Sequence, residues 1–276
     1  MMSEQPFTVV ILAADRELAD PVAEYTAASC KALAPVSGRE MVLHVLDALA
    51  DAVETGDRIL VGPSAKSVEQ SEGLYKLVSS GLVKWVAPQA TPSLSAFSVL
   101  KSLPDDIPVL LTTADHALLT AEMIDHFCRE ARISGCDVLA GVARHDLIAE
   151  AVPGTRRTVT KLKDGGYCGC NLFAFLTPEA RKAADFWRQV EKERKKPLRI
   201  IKVIGWMSVL RYLLGQLTLI QALNGLSQKM GLRAGAVQMP FAEAAIDVDK
   251  VEDLLLVESI LAERQKGGLE KALGET

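Results

Sequence analysis

The chain has 276 residues, 49% of them hydrophobic and 24% charged, which is enough apolar material for a full globular core in one large α/β domain. The formal net charge is −4 and no long basic run occurs, so nucleic acid is excluded as a first choice of partner. Small anionic ligands remain compatible, because single lysines can act against a mildly acidic background.

Residues 7–12 are an apolar, β-branched run that predicts a buried strand. Residues 39–52 carry apolar side chains at helical spacing (Met41, Val42, Val45, Leu46, Leu49). Strands are then expected at 58–61, 83–87, 108–112 and 137–143, and helices at 67–79, 93–102 and 121–134. This alternation predicts an α/β, Rossmann-like fold, a mostly parallel sheet with helices on both faces. After Arg144 the rhythm changes. Residues 159–162 and 172–175 read as strands flanking a glycine-rich turn at 164–169, so an antiparallel element makes the sheet mixed. Residues 178–195 form a charged amphipathic helix whose end, 191–196, reads as a solvated face. A short strand at 236–239 and a helix at 249–264 follow, the latter with Asp249 and Glu252 in a capping-box-like start.

From 200 to 226 only Lys202 and Arg211 are charged. A bilayer needs about 20 apolar residues in a row. Arg211 in the middle, with Gly205, Gly215 and Gly225, predicts instead two short, mostly buried helices, with Thr218 as an N-cap and Gly231 as a C-terminal stop. The apolar surplus there also suits a lid, a homodimer surface or contact with a membrane surface. A single domain over 1–276 with a helical insertion at about 197–233 is expected. The five cysteines, Cys30, Cys128, Cys136, Cys168 and Cys170, are odd in number and lack zinc-site spacing, so they read as free thiols. Glu4 and the lack of a basic n-region give no signal-peptide pattern, and a cytoplasmic location is expected.

Four places could carry chemistry. The first is the turn after the opening strand, Leu12–Ala13–Ala14, with Lys31 and the Pro35–Gly38 turn behind it; lysine is a compact charge suited to phosphate oxygens. The second is Asp115, directly after the 108–112 strand. Thr120 is better placed to cap the next helix, which leaves Asp115 for a Mg²⁺ ion held with substrate phosphates. His116 reads as a loop-packing residue. The third is Asp247 and Asp249, at alternate positions of an extended stretch and hence on one side; Asp249 is expected to cap the helix and Asp247 to face a ligand or metal. The fourth is GGYCGCNLFAF, 165–175, where the glycines, Gly166 among them, allow close approach to a substrate and Asn171 offers a donor and an acceptor.

In order and spacing, VVILAA, KALAPVSGREMVLHVLDAL, VLLTTADHALLTAEMIDHF, GCNLFAF and AIDVDKVEDLLLVESIL resemble the MobA-like nucleotidyltransferases of the GT-A-like superfamily, over roughly 7–176 and 236–262. The resemblance implies nucleotide contacts from Leu12, Ala13, Ala14 and Ser93, a base-reading segment near Gln89, and NTP phosphates on Lys31. It implies metal binding by Asp115 and Asp247, and sugar-phosphate contact by Asn171. The family usually reads LAAGxGxRM at the first turn; here Asp15, Arg16 and Glu17 follow Ala14 and no glycine occurs before Lys31. The backbone amides that glycine would free are replaced, on this reading, only in part by the charge of Arg16, which Asp15, Glu17 and Asp20 oppose. The implied activity is Mg²⁺-dependent transfer of NMP from an NTP to a phosphorylated small-molecule acceptor, with Lys31, Arg16 and Asp115 as the catalytic residues. A GT-A glycosyltransferase and a non-catalytic nucleotide-binding homologue are the alternatives.

Overall fold

The computed structural model describes residues 5–14, 20–193 and 206–274. The first strand, β1 (Phe7–Leu12), is buried along nearly its whole length and is an interior strand of the sheet, paired on both sides. It leads past helix α1 (Pro21–Thr26), a 3-10 turn at Lys31–Leu33 and a hairpin of β2 (Pro35–Val36) and β3 (Arg39–Glu40) into helix α2 (Met41–Asp51). Then come β4 (Thr55–Val61), helices α3 (Ala65–Gln70) and α4 (Glu72–Ser79), β5 (Lys84–Val86), α5 (Pro92–Ser102), β6 (Val109–Thr113) and α6 (Ala121–Ile133). The second half holds β7 (Val138–Arg144), α7 (His145–Ala151), β8 (Thr160–Leu162), β9 (Gly165–Phe175), α8 (Arg181–Glu193), helices Trp206–Leu213 and Leu219–Met230, β10 (Ala234–Met239) and the closing helix Val251–Gly274.

Among the described residues, eight of these strands form one mixed sheet, in the order β10-β7-β9-β6-β1-β4-β5 with β8 alongside β9. Every pairing is parallel except those made by β9, which runs antiparallel to β6, β7 and β8. Helices α2 and α6 cover one face, through Val42, Leu46, Leu49, Ile124 and Phe127. The other face is covered by α5 and α8, through Ala96, Val99, Leu100 and Ala184. Burial on both faces explains the unbroken apolar runs of β1 and β6. A third cluster joins Val22, Met41, Leu118, Ile246, Val248, Leu254 and Val257, and so seats the closing helix beside the carboxyl ends of the strands.

Several elements differ from the sequence-based expectation, each for a local reason. Arg39 and Glu40 pair back onto Pro35 and Val36, so the helix starts only at Met41. The helix expected at 67–79 is two helices. Ser71 leaves helical geometry, and its side chain accepts from the N–H of Leu74 to cap α4. Helix α1 has no apolar periodicity to announce it; Asp20 caps it by accepting from the N–H groups of Val22 and Ala23 at 2.9 and 3.1 Å. The glycine-rich segment at 165–169 is the first half of β9, not a turn, because it pairs with β7 and β8 throughout. Asp249 does not cap the closing helix; Asp253 reaches back to the N–H groups of Asp249 and Lys250 instead, both at 3.2 Å. Thr120, Thr218 and Gly231 terminate their helices as expected.

The expected buried helix pair near 200–226 appears as Trp206–Leu213 and Leu219–Met230, and residues 197–205 lie outside the described residues. Its burial is not as expected: Met207, Leu210, Leu213, Leu214 and Ile220 are exposed, and Leu219–Met230 has no buried residue. Periodicity reports that a face is apolar but not that it is covered. No helix among the described residues is long and apolar enough to cross a membrane. None of the five cysteines is in a disulfide, and burial, with Cys168 beside it, pushes the Cys170 thiol up to about 12.

Asp137 fastens the far half of the sheet. Its carboxylate accepts from the Arg233 backbone N–H at 2.7 Å, the Arg233 guanidinium at 2.9 Å and the Thr177 hydroxyl at 3.2 Å. It thereby holds the start of β7, the exit of β9 and the entry of β10 together. Asp137→Ala takes the acceptor from the Arg233 backbone N–H and the Thr177 hydroxyl, while the exposed guanidinium returns to water, and a loss of about 1–3 kcal/mol is expected. Urea unfolding of the variant checks this; a midpoint equal to that of the parent would show that the three contacts contribute nothing net.

Candidate active site

The carboxyl ends of β1, β4 and β6 open onto a cleft of about 380 Å³ whose lining includes Leu12, Ala13, Ala14, Lys31, Asp115 and Asn171. In an α/β sheet of this kind the crevice at the strand ends is where ligands bind. Its floor is set by main-chain bonds: the N–H of Ala13 donates to Val61, and that of Ala114 to Leu12, both at 2.9 Å.

Three carboxylates converge here. Asp115, Asp247 and Asp249 each offer an oxygen within 4.8 Å of the others. Asp115 arrives on the end of β6. The stretch after the last 3-10 turn is docked against it by the N–H of Val248, which donates to the Asp115 carbonyl at 3.0 Å. Ile246 and Val248 are fully buried, so the alternate residues Asp247 and Asp249 emerge on the opposite side, next to Asp115.

Two cations make this crowding tenable. Lys31, on the 3-10 turn behind the long loop after β1, places its ammonium 2.7 Å from Asp115 Oδ2 and 3.2 Å from Asp249 Oδ1. Burial works against the Lys31 charge, but Asp115 and then Asp249 raise its pKa above the ordinary lysine value. Burial equally opposes the Asp115 charge, and Lys31 overcomes it, holding that carboxyl below the usual carboxylate range. On the far side, Arg157 pairs with Asp247 and, at 3.1 Å, with Asp253; its side chain is only 9% exposed.

Asn171 completes the set through a backbone irregularity. Val142 pairs with Gly169 and Ala140 with Phe173, so Gly141 alone on β7 faces residues 170–172 on β9. A Cβ on Gly141 would lie 3.2–3.3 Å from Leu172 and Cys170, so this strand position has little room for a side chain. In the bulge Asn171 takes a left-handed backbone (φ 50°), and its amide donates to Asp247 Oδ2 at 2.8 Å.

The donor set is suited to a hard divalent cation. Oxygen ligands are what Mg²⁺ takes, and Asp115 Oδ1 is buried without a hydrogen-bond partner among the described residues. Asp249, 68% exposed at its side chain, faces the open cleft.

The residues singled out from the sequence separate into groups. Leu12, Ala13, Ala14, Lys31, Asp115 and Asn171 line the cleft, and Asp247 stands in its carboxylate cluster. Ser93 is fully buried with its hydroxyl on Glu191, while Ser95 and Pro92 of the same helix reach the cleft. Glu191 thus holds α8 to α5 rather than belonging to a solvated face. The N–H of Gln89 donates to Ser95 Oγ at 2.9 Å, which fastens the segment that enters α5. Gly166 lines a second cavity, described below. Arg16 lies outside the described residues. The sequence reading passed over Asp249 as a ligand because a helix cap explained it. It passed over Arg157 because nothing local distinguishes that residue from Arg156. It also missed Phe173 and Trp187, whose rings stack 6.5 Å apart on one wall of the cleft.

A strand-end cleft with a lysine and converging carboxylates is the arrangement of nucleotidyltransferase-type α/β proteins, and the comparisons agree. The MobA-like NTP transferase domain matches residues 9–234. The chain belongs to that family. Over 113 residues it is 36% identical to the bifunctional protein GlmU of Sinorhizobium fredii (strain NBRC 101917 / NGR234), covering 41% of this chain and 24% of that protein, so it spans about a quarter of that relative. A hypothetical transferase structure from Thermus thermophilus superposes with a TM-score of 0.75 at 27% identity, over 91% of this chain and 100% of that one. The fold is also that of the 4-diphosphocytidyl-2C-methyl-D-erythritol synthase of Anaerococcus prevotii DSM 20548 (TM-score 0.56, 17% identity, 93% and 96% covered).

His116, next to Asp115, gives the site an acid sensitivity. Burial, with Arg157 and Arg264 adding to it and Asp115 opposing, lowers its pKa from 6.5 to about 4. The unfolded chain can therefore take up a proton between those values that the folded chain cannot. Stability contributed by the neutral imidazole is complete above 6.5 and falls as pH drops towards 4. From pH 7 to pH 5 the loss is about 2 kcal/mol. Denaturation at both pH values should show this loss in the parent and a smaller one in His116→Gln; an equal loss would mean that other groups carry it.

Proposed function

We propose that the protein is a Mg²⁺-dependent nucleotidyltransferase that moves NMP from an NTP to a phosphorylated small-molecule acceptor. The observation that carries this reading is the Lys31–Asp115–Asp247–Asp249 cluster at the strand ends, with one buried Asp115 oxygen lacking a hydrogen-bond partner among the described residues. Asp115, Asp247 and Asp249 would hold the ion. When bound, Mg²⁺ supplies charge neutralisation for the NTP phosphates.

Lys31 is placed to bind phosphate oxygens, and its exchange from carboxylate to phosphate keeps its charge paired throughout. Leu12, Ala13 and Ala14 border the cleft where the triphosphate would lie, and Arg16 is the further cation assigned to that loop. An acceptor phosphate oxygen attacks the α-phosphorus. The bond from that phosphorus to the bridging oxygen breaks, and pyrophosphate leaves with the electron pair. The nucleophile is already ionised near neutral pH, so the site needs no general base. Its work is positioning and charge compensation. Asn171 and Arg157 hold Asp247 in place while the outer side of the cluster stays open through Asp249.

Thermal-shift measurements with each of the four NTPs and Mg²⁺, followed by pyrophosphate release against phosphorylated small molecules, test this reading. A Mg²⁺-dependent shift with at least one NTP is expected, and no shift with any of them would overturn it. Asp115→Asn should abolish Mg²⁺-dependent turnover with little change in unfolding midpoint; turnover equal to the parent would remove Asp115 from the ion site. Lys31→Ala should weaken NTP binding roughly 10- to 150-fold, the value of one charge-assisted contact. Unchanged affinity by calorimetry would reduce Lys31 to a counter-ion for the carboxylates.

A further inference from the structure

A second cavity, about 480 Å³ and open to solvent, lies under the loop between α7 and β8, lined by His145, Thr155, Arg156, Arg157, Lys161 and Gly166. Among the described residues no carboxylate lines it, in a chain whose net charge is −4. Arg156 and Lys161 are exposed, and their side chains make no ion pair or hydrogen bond among the described residues. Gly166 is there for space: a Cβ would come within 2.9 Å of Val159 and 3.1 Å of His145.

Arg157 connects the two sites. Arg157 is among the residues that line this cavity, and its guanidinium pairs with Asp247 of the carboxylate cluster. Arg157 is therefore the residue that a ligand in the second cavity and the proposed ion site have in common. The charge of Arg157 is already matched by Asp247 and Asp253, and the unmatched charge belongs to Arg156 and Lys161 with the imidazole of His145 beside them.

We propose that this cavity binds an anionic group, a phosphate or carboxylate, and that it takes the second anionic group of an acceptor whose first one attacks the nucleotide. This rests on the nucleotidyl-transfer reading for the identity of the ligand, but not for the binding of an anion. The acceptor class that follows is a small molecule with anionic groups at both ends. Cationic side chains in a concave site bind phosphate and carboxylate through charge-assisted hydrogen bonds, and Thr155 adds a hydroxyl.

The test has two arms. In the first, the imidazole proton resonance of His145, assigned with His145→Gln, is followed during titration with inorganic phosphate and no nucleotide. A saturable shift is expected, with affinity lowered roughly 10- to 150-fold in the Arg156→Gln/Lys161→Gln double variant. Both side chains are exposed, so the variant is expected to fold, and an unfolding midpoint checks that it does. Absence of a saturable shift in the parent, or equal affinity in the variant, overturns the anion site. In the second arm, pyrophosphate release is compared for acceptor pairs that differ only in a second anionic group. Doubly anionic acceptors should show the lower KM, and the double variant should lose that advantage with kcat little changed. Equal KM for both members of each pair in the parent overturns the acceptor assignment, and the cavity is then a site for a free anion. If no acceptor releases pyrophosphate, the transfer reading and the acceptor assignment fall together, while the phosphate titration judges the cavity by itself.

Discussion

Three carboxylates within 4.8 Å of one another cannot all stay ionised in a partly buried site unless cations are built in beside them. That constraint organises the cleft. Lys31 answers Asp115 and Asp249 from the β1 side, and Arg157 answers Asp247 and Asp253 from the opposite side. Neither cation is a neighbour of its partner in sequence. The loop after β1, the end of β6, the loop after α7 and the segment before the closing helix therefore have to be brought together by the fold before the charges can balance.

The sheet does this with ordinary means. Parallel strands β1, β4 and β6 put their carboxyl ends on one edge, and Asp115 is the second residue past β6. A buried Ile246–Val248 pair and one main-chain bond to the Asp115 carbonyl add two more carboxylates. The bulge in β9 aims Asn171 at Asp247. Local backbone features thus decide which side chains meet, and the packed helices on both faces keep them there.

Much of the fold was legible in the sequence because it rests on short-range signals. The apolar β-branched runs mark the strands, and Thr120 and Thr218 mark helix starts that the structure contains. Asp115 stood out because Thr120 already explained the following helix. The same logic misled at Asp249, where a capping pattern with Glu252 looked sufficient, yet Asp253 reaches the backbone instead. Glycines in β9 looked like a turn, although they lie in paired strand, and Gly165 and Gly166 stand where neighbouring side chains crowd the backbone. Arg157 was illegible, since its partners lie some ninety residues away and its neighbour Arg156 has the same side chain and none of the contacts.

The antiparallel strand β9 has a further consequence for how the chain is made. It sits between β6 and β7, so the parallel half of the sheet, β5-β4-β1-β6, is synthesised with one long edge of β6 unpaired. That edge carries the fully apolar Val109–Leu111, the kind of exposed strand that recruits other chains. It is closed only after β7, α7 and β8 have been added and β9 has run back between its two partners. A nascent chain interrupted before Phe175 leaves that edge of β6 open, and the insertion of β9 is the step that covers it.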